Sequence, residues 1–174
     1  ILKKKPINHV DIGSKLEGFV AHLLCSMPVH YVDVRKIEIP NQDLTIINND
    51  ASNLKSINDC EFESISCLHA METFGLGRYG DKIDPEIEIK FFNEVKRILK
   101  SDGFFYLSVP IGDNIIYFNS HKSYDPKYIL DSLSSLSLKK FFIIKKNGEI
   151  IQIDDIKKYK KENLFDLGVF IFQK

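Results

Sequence analysis

The sequence is poor in cysteine, with only Cys25, Cys60 and Cys67, and none of them forms a Cys-x-x-Cys pair. Three widely spaced cysteines do not build a disulfide framework and are typical of a reducing compartment, so we expect a cytoplasmic protein. His22 lies on the same predicted helix face as Cys25, but no His-x-x-x-His pair accompanies them. The sequence therefore predicts no metal site.

Net charge is also absent, because 24 Lys and Arg balance 24 Asp and Glu. This balance argues against a broad electrostatic attraction to nucleic acid, and we predict no nucleic-acid partner. The dense local run of positive charge consists of Lys157, Lys158, Lys160 and Lys161. We interpret this lysine cluster as a solvated loop or helix end.

No run of apolar residues reaches the roughly 18 that a membrane-spanning helix needs, so we predict no membrane span. The run Lys3–Lys5 is followed directly by Pro6 and not by the apolar core of a signal peptide. Because no repeat or long linker divides the chain, we expect residues 1–174 to form one domain. The sequence begins at Ile1 and not at Met, which leaves open a longer parent chain, and the oligomeric state is open as well.

Apolar residues are plentiful enough for a core, since they make up 44% of the sequence and include 13 Phe and 7 Tyr. Strand and helix patterns alternate, which is typical of a mostly parallel sheet covered by helices. An Asp-Pro pair is predicted to cap and begin two of the helices, at Asp84-Pro85 and at Asp125-Pro126. The predicted strands cover residues 7–12, 29–34, 44–47, 62–69 and 104–109, and the first two predicted helices cover residues 15–26 and 85–99.

The last forty residues predict antiparallel strands. Leu138–Lys145 and Glu149–Ile153 are β-rich runs that flank Asn147-Gly148, and an Asn-Gly pair in this position predicts a hairpin because both residues tolerate positive φ. Leu167–Phe172 supplies one more strand at the C-terminus.

The turn after the first strand is the first candidate binding site, because ligands of doubly wound sheets bind beyond the carboxyl ends of the strands. Residues 11–18 occupy this turn and resemble the first motif of class I S-adenosylmethionine-dependent methyltransferases, acidic-x-Gly-x-Gly-x-Gly. Asp11 and Gly13 match the first two fixed positions, and the resemblance places Ser14 beside the cofactor with them. A tight turn capped by Asp11 is the alternative.

This turn also departs from the methyltransferase motif. Lys15 and Glu17 stand where the two later glycines belong, and Gly18 comes one position late. Side chains at these two positions could fill the space that the methionine part of the cofactor needs.

Three later strand ends agree with the register of the same family. Asp33-Val34 ends the second strand, where an acidic residue can accept hydrogen bonds from both ribose hydroxyls of an adenosyl group. Asp50-Ala51 follows the third strand, where methyltransferases often place a side chain near the adenine amino group. His69 ends the fourth strand and could pack against the adenosyl group or a neighbouring strand. Either carboxylate could instead cap its own loop.

The segment from Phe62 to Pro126 carries the most specific resemblance. Over residues 8–136 the sequence resembles a little-characterised bacterial family of methyltransferase-like domains that are often encoded with surface-polysaccharide genes. This resemblance implies an α/β, Rossmann-like methyltransferase fold: a mostly parallel twisted sheet, helices on both faces and an antiparallel C-terminal strand pair. It also implies S-adenosylmethionine as cofactor. The motifs are residues 62–72, 75–81, 84–85, 107–110, 118–121 and 124–126.

Methyl transfer to a hydroxyl benefits from a general base, and His121 is the first candidate because it lies in a polar loop after the fifth strand. Glu72 is the second catalytic candidate, together with His69. His121 could equally be a loop histidine bonded to backbone.

Candidate acceptor contacts lie in the loops beyond the fourth and fifth strands. Arg78 and Tyr79 belong to a glycine-flanked loop suited to a phosphate or a sugar. Asn119 and Tyr124 are further acceptor contacts that the resemblance implies. As an alternative, Arg78 could pair with Asp81 or Asp84.

The leading hypothesis is therefore an S-adenosylmethionine-dependent methyltransferase that acts on a hydroxyl of a small-molecule or glycan-linked acceptor. A methyltransferase-like domain that has lost the cofactor and serves as a binding or scaffolding module is the second hypothesis. The third is a nucleotide-sugar-modifying enzyme with a Rossmann-like sheet, but the sequence lacks Gly-x-Gly-x-x-Gly and ends in antiparallel strands.

Overall fold

A computed structural model describes residues 1–156, 159 and 166–174. The lysine cluster at residues 157–161 therefore lies outside the described residues, and its interpretation as a solvated segment stays a prediction. None of the helices in the described ranges has both the length and the apolar character needed to cross a bilayer.

Within these ranges the chain forms ten strands and three α-helices. The strands are β1 (His9–Ile12), β2 (Val29–Asp33), β3 (Leu44–Asn48), β4 (Phe62–Leu68), β5 (Leu99–Ile111), β6 (Ile115–Ile116), β7 (Lys122–Ser123), β8 (Ser137–Ile144), β9 (Ile150–Gln152) and β10 (Asp166–Gln173). The helices are α1 (Gly18–Leu24), α2 (Ile87–Ile98) and α3 (Pro126–Ser132).

Eight strands form one sheet in the order β3-β2-β1-β4-β5-β10-β8-β9, and β6 and β7 form a separate ribbon. The strands from β3 to β5 pair in parallel, whereas β10 is antiparallel to both β5 and β8. The predicted mostly parallel sheet with antiparallel C-terminal strands is confirmed. Since β10 runs backwards, its first residue, Asp166, pairs with Ile111 at the end of β5 and so lies at the carboxyl edge of the parallel strands.

The helices cover both faces of the sheet, as predicted. Tyr31 and Val32 are successive residues of β2, so their side chains point to opposite faces. Tyr31 belongs to the buried cluster that includes Val20 of α1, and Val32 belongs to the larger cluster that includes Phe91 of α2 and Ile129 of α3. Helix α1 therefore packs on one face, and α2 and α3 pack on the other.

The two Asp-Pro pairs have different outcomes. At α3 the Asp125 carboxylate accepts the Lys127 backbone N–H at 2.8 Å and Pro126 is the first helical residue, as predicted. At α2 the prediction is wrong by two residues, because the helix begins at Ile87 with Glu86 as N-cap. The Asp84 carboxylate accepts the Glu86 N–H at 2.9 Å and closes a turn before the helix.

The hairpin predicted at Asn147-Gly148 is confirmed. Gly148 has φ +86°, and its N–H donates to the Lys145 carbonyl at 2.8 Å. The turn joins β8 to β9, which adds an antiparallel strand at the edge of the sheet.

Candidate active site

Two neighbouring cavities lie at the carboxyl edge of the parallel strands. The first cavity encloses about 290 Å³, and the residues that define it are Gly13, Asp33, Arg35, Asp50, Ala51 and Phe74. The second cavity encloses about 410 Å³, and the residues that define it are Glu72, Arg78, Pro110, His121, Asp166 and Leu167. His69, Thr73 and Tyr79 line both cavities and mark the boundary between them.

Gly13 forms part of the wall of the first cavity, and its backbone needs glycine. Its φ is +70°, and its N–H donates to the Val32 carbonyl at 2.8 Å. A Cβ at this position would lie 3.1 Å from the Ala70 Cβ and 3.2 Å from the Phe74 ring. The turn after β1 is therefore both left-handed and tightly enclosed, which restricts the position to glycine.

Asp11 and Ser14 do not line either cavity, so the structure does not support them as direct cofactor contacts. Asp11 is fully buried, and its Oδ1 accepts the Ser14 hydroxyl at 2.9 Å and the Ser66 hydroxyl. The Ser14 Oγ in turn accepts the Leu68 backbone N–H at 3.2 Å. These bonds tie the turn after β1 to β4, so Asp11 and Ser14 support the turn from beneath.

The buried environment of Asp11 changes its titration. Burial raises the pKa of Asp11 from its ordinary value of 3.8 to about 6, although the hydrogen bonds from Ser66 and Ser14 act in the opposite direction. Asp11 Oδ2 has no hydrogen-bond partner among the described residues. Ionisation of this buried carboxylate therefore lowers the free energy of unfolding.

Asp33 and Val34 line the first cavity, and the Asp33 carboxylate is already bonded to Arg35. Oδ1 accepts the Arg35 backbone N–H at 2.8 Å and Nε at 2.9 Å, and Oδ2 accepts Arg35 Nη2 at 2.6 Å and the Tyr31 hydroxyl at 3.0 Å. Burial alone would raise the pKa of Asp33, but the bonds from Arg35 outweigh it and lower the pKa. A ribose that bound Asp33 would have to displace the Arg35 side chain.

Lys15 and Glu17 do not fill the first cavity. Their side chains form an ion pair with each other and are 79% and 59% exposed. Lys15 contributes to the mouth of the cavity, whereas Glu17 does not line it. The departure from the glycine motif therefore leaves the cavity open in this conformation.

Asp50 and Ala51 line the first cavity where they were predicted to lie. Asp50 Oδ1 also accepts the Ser52 N–H at 2.8 Å and the Ser52 hydroxyl at 2.7 Å. Both interpretations of this carboxylate therefore apply, since it caps its own loop and faces the cavity.

His69 and Glu72 form a hydrogen-bonded pair at the boundary of the two cavities. His69 follows β4 with φ +58°, and its Nδ1 is bonded to Glu72 Oε1. Glu72 is buried, whereas the His69 side chain is 61% exposed. The hydrogen bond that His69 donates to Glu72 raises the pKa of His69 above its ordinary value, despite the opposing effect of burial.

His121 lines the second cavity only. Its Nδ1 is bonded to the Ser120 hydroxyl at 2.8 Å, and its ring stacks on Tyr117 with 4.8 Å between the ring centroids. It therefore lines the second cavity alone, whereas His69 lines both.

Arg78 and Tyr79 lie over the cavities on the glycine-rich loop. Arg78 Nη1 donates to the Ser120 carbonyl at 2.6 Å, and the Tyr79 ring lies under the guanidinium groups of Arg35 and Arg78 at 5.3 and 5.6 Å. Arg78 does not pair with either aspartate that the sequence offered. Asp81 instead accepts backbone N–H groups of its own loop, and Asp84 pairs with Lys90 at 2.6 Å.

Asn119 and Tyr124 line neither of these two cavities, and their role as acceptor contacts stays a prediction. Asn119 sits in a tight turn with φ +49°. Tyr124 is buried, and its hydroxyl donates to Glu88 Oε1 at 3.1 Å, which also accepts Lys122 Nζ at 2.5 Å. The side chain of Tyr124 therefore lies in the core, where Glu88 of α2 accepts its hydroxyl.

Arg35 and Asp166 are site residues that the sequence reasoning missed. Arg35 comes two positions after Asp33, and that spacing is the signal that could have identified it. Asp166 is fully buried at the start of β10, and its Oδ2 accepts Lys145 Nζ at 3.0 Å. Its place at the carboxyl edge depends on β10 running antiparallel between β5 and β8, which no local pattern shows. No group of three or more His, Cys, Asp or Glu side chains in the described ranges could hold a metal ion.

Solved structures with a similar fold include methyltransferases and a [4+2]-cyclase. The Burkholderia thailandensis 1,6-didemethyltoxoflavin-N1-methyltransferase, with bound 1,6-didemethyltoxoflavin and S-adenosylhomocysteine, has a TM-score of 0.68 at 14% identity over 99% of this chain and 73% of its own. A Methanosarcina mazei SAM-dependent methyltransferase has a TM-score of 0.66 at 15% identity over 96% and 92%. The cyclase SpnF has a TM-score of 0.70 at 10% identity over 97% and 74%.

These similarities confirm the predicted Rossmann-like methyltransferase fold, and at such identities they concern the fold alone. No protein with a curated description matches the sequence. The association with bacterial surface-polysaccharide genes stays a prediction. A family match covers residues 28–161, and the chain therefore belongs to the family described as "Caenorhabditis protein of unknown function, DUF268".

Proposed function

We propose that the protein is an S-adenosylmethionine-dependent methyltransferase that acts on a hydroxyl of a small-molecule or glycan-linked acceptor. The observation that carries the proposal is the His69–Glu72 pair at the boundary of the two cavities. A group-transfer site needs room for a donor, room for an acceptor and a proton acceptor between them, and two adjoining cavities with a histidine at their boundary support this assignment.

The first cavity fits an adenosyl cofactor. Asp33 would accept the ribose hydroxyls, Asp50 and Ala51 would meet the adenine edge, and the tight turn at Gly13 would admit a close approach of ligand to backbone. Its volume of about 290 Å³ is at the lower end for ligand sites, and movement of Arg35 away from Asp33 would enlarge it. When bound, the cofactor supplies a methyl group on a positively charged sulfur and leaves as a neutral thioether.

His69 is the general base of this proposal. With Nδ1 protonated towards Glu72, the lone pair of Nε2 is available for the proton of the acceptor hydroxyl. His69 Nε2 would take the proton of the acceptor hydroxyl as its oxygen bonds to the methyl carbon and the bond from that carbon to the cofactor sulfur breaks. Glu72 fixes the orientation of the ring and stabilises the imidazolium that forms. We assign the base to His69 and not to His121, because only His69 lines both cavities.

Calorimetry with S-adenosylhomocysteine tests the proposal directly. We expect binding to the folded protein and loss of binding in Asp33→Ala, because the ribose hydroxyls would lose their acceptors. Absence of heat with either S-adenosylmethionine or S-adenosylhomocysteine, on protein shown to be folded, would refute the proposal.

A binding or scaffolding domain without catalysis is the second candidate, and the occupied carboxylate of Asp33 is the observation that favours it. The two candidate functions predict different effects of Arg35→Ala on cofactor binding. A wild-type protein that binds no cofactor, together with an Arg35→Ala variant that does, would identify Arg35 as the residue that closes the site.

Localisation, domain organisation and partners complete the proposal. A cytoplasmic protein with one domain over residues 1–174 and no nucleic-acid partner is supported by the composition and the charge balance. A role in polysaccharide biosynthesis is supported only by the resemblance over residues 8–136.

A further inference from the structure

Asp166 is a buried carboxylate with one unpaired oxygen, and nothing in the proposed methyl transfer uses it. Its Oδ2 accepts Lys145 Nζ at 3.0 Å, whereas Oδ1 has no hydrogen-bond partner among the described residues. Buried polar atoms are rarely left without a partner, because an unmade bond to a charged group is costly. Asp166 lines the second cavity, so a ligand there is the natural partner.

Glu72 repeats this arrangement on the same cavity. Its Oε1 is bonded to His69, and its buried Oε2 has no partner among the described residues. Asp11 Oδ2 is unpaired as well, but Asp11 lines neither cavity. The two unpaired carboxylate oxygens that belong to cavity residues therefore both belong to the second cavity.

The charges around the second cavity favour a neutral ligand. Lys145 balances the charge of Asp166, and the exposed guanidinium of Arg78 supplies a positive charge to the lining that offsets the charge of Glu72. His69 adds no charge in its neutral form. An ammonium group would meet no unbalanced negative charge here, whereas a hydroxyl would satisfy a carboxylate oxygen without adding charge.

The same cavity offers donors for the oxygen lone pairs of a hydroxylated ligand. Arg78 donates through Nη1 to the Ser120 carbonyl, and its guanidinium carries four further N–H groups. The His121 ring lies on the same wall. A lining of paired acceptors and donors suits a ligand with several hydroxyls, since each hydroxyl both donates and accepts.

Small side-chain rotations would bring the unpaired oxygens to such a ligand. Both oxygens are closed to water in this conformation. The terminal torsions of Asp and Glu are broad, so the carboxyl groups of Asp166 and Glu72 can turn at little cost.

We infer that the second cavity binds a neutral polyol such as a sugar ring, and that Asp166 is its specificity-determining residue. One hydroxyl of the ring donates to Asp166 Oδ1, and another lies at His69 as the group to be methylated. The inference rests on the proposed function for the methyl transfer, but binding of the polyol can be measured without it.

The test is a titration of ¹⁵N-labelled protein with methyl glycosides of neutral hexoses and with the matching 2-amino-2-deoxy glycosides, followed by NMR. We expect the neutral glycosides to shift amide signals around the second cavity. We expect Asp166→Asn to weaken their binding about ten-fold or more, the effect of losing a hydrogen bond to a charged group. No shift with any neutral glycoside would overturn the inference, as would tighter binding of the amino glycosides.

Two further variants guard against a folding artefact. Asp166→Asn removes the negative charge that Lys145 Nζ contacts, so the double variant Asp166→Asn with Lys145→Gln removes both charges and should show the same loss of glycoside binding. Asp59→Asn removes an exposed carboxylate that pairs with Arg97 in the last turn of α2 and lines neither cavity. This control variant should bind the glycosides as the wild type does. Equal glycoside affinity in the wild type and the double variant would remove Asp166 from the site.

Calorimetry with S-adenosylhomocysteine on the same samples separates this inference from the proposed function. Cofactor binding without glycoside binding overturns the polyol site and leaves the methyltransferase proposal standing. Glycoside binding that depends on Asp166 without cofactor binding supports the polyol site and refutes the methyl transfer.

Discussion

At the scale of single residues, Arg35 decides how Asp33 can be used. All four donors around the Asp33 carboxylate come from Arg35 and Tyr31. We expect Arg35→Ala to tighten binding of S-adenosylhomocysteine up to about five-fold, because a partly exposed ion pair contributes at most about 1 kcal/mol. Calorimetry measures this, with Lys15→Ala at the cavity mouth as the control. Weaker binding in Arg35→Ala would mean that Arg35 holds the ligand.

The pair of His69 and Glu72 predicts a pH dependence of methyl transfer. His69 must be neutral to accept a proton, so the rate should rise with pH through its pKa, which lies above the ordinary value of about 6.5. Glu72→Gln removes the charge that raises this pKa, so the midpoint should move to lower pH. His69→Ala should lower kcat about 10²- to 10⁴-fold and abolish the rise.

NMR titration of the His69 ring protons checks the same shift without an activity assay. A midpoint that stays in place in Glu72→Gln would contradict the pairing. His121→Ala should leave the midpoint unchanged, because His121 is bonded to Ser120 and not to this pair.

The residues that could be predicted are those that end a strand. Gly13, Asp33, Asp50 and His69 follow recognisable strand patterns, and the carboxyl ends of parallel strands converge. Asp11 shows the limit of this reasoning. It pairs with Tyr31 and Ser66 on the two flanking strands, and its buried carboxylate is bonded to hydroxyl groups and does not line the cavity.

At the scale of elements, the turn between β1 and α1 offers a matched pair of glycines. Gly13→Ala places a Cβ against Ala70 and Phe74 at a left-handed φ, and we expect it to lower the free energy of unfolding by about 1–3 kcal/mol. Gly18 begins α1, and a Cβ there would meet no atom within 4 Å. Gly18→Ala should therefore leave stability unchanged or raise it by up to about 1 kcal/mol.

Urea unfolding of the two variants measures this difference. Equal stability of Gly13→Ala and the wild type would show that the turn can relax, and the tight wall of the first cavity would then need revision. S-adenosylhomocysteine should bind more weakly to Gly13→Ala than to Gly18→Ala, because Gly13 lines the first cavity and Gly18 does not.

The main strands and helices follow from the sequence, but the β6–β7 ribbon was not predicted, and α1, α2 and β5 begin at other residues than predicted. Asn147-Gly148 and Asp125-Pro126 act as predicted because both signals are local hydrogen bonds made within a few residues. The start of α2 differs because Asp84 closes a turn of its own. Strand β5 begins at Leu99, five residues before the predicted Phe104, since pairing with β4 extends it. That pairing is a long-range contact with no local signal.

At the scale of the whole molecule, the alternation of strands and helices predicts the α/β class but not the order of strands. The sequence places β10 last, whereas the sheet places it between β5 and β8. This insertion brings Asp166 to the same edge as His69, although 97 positions separate them in the numbering. The lining of the second cavity therefore depends on topology, and that of the first cavity depends largely on local motifs.

The free energy of unfolding should depend on pH because the carboxylate of Asp11 is buried. Its folded pKa of about 6 lies above the ordinary 3.8, so the folded state binds the proton more tightly than the unfolded state. The protein therefore loses stability from this group as pH rises from about 4 to 6, on the order of 3 kcal/mol in total. His9 acts in the opposite sense, because burial lowers its pKa to about 3 and acidification below its ordinary 6.5 destabilises the fold.

Asp11→Asn isolates the contribution of the carboxylate. Its amide oxygen can still accept the Ser14 and Ser66 hydroxyls, while the buried charge disappears. We expect the variant to be more stable than the wild type at pH 7, by up to a few kcal/mol, and the advantage to vanish below about pH 4. Urea unfolding across this pH range measures the effect, with the exposed Asp131→Asn as control. A pH-independent difference between Asp11→Asn and the wild type would show that Asp11 carries no buried charge, and that the turn beneath the first cavity is held by hydrogen bonds alone.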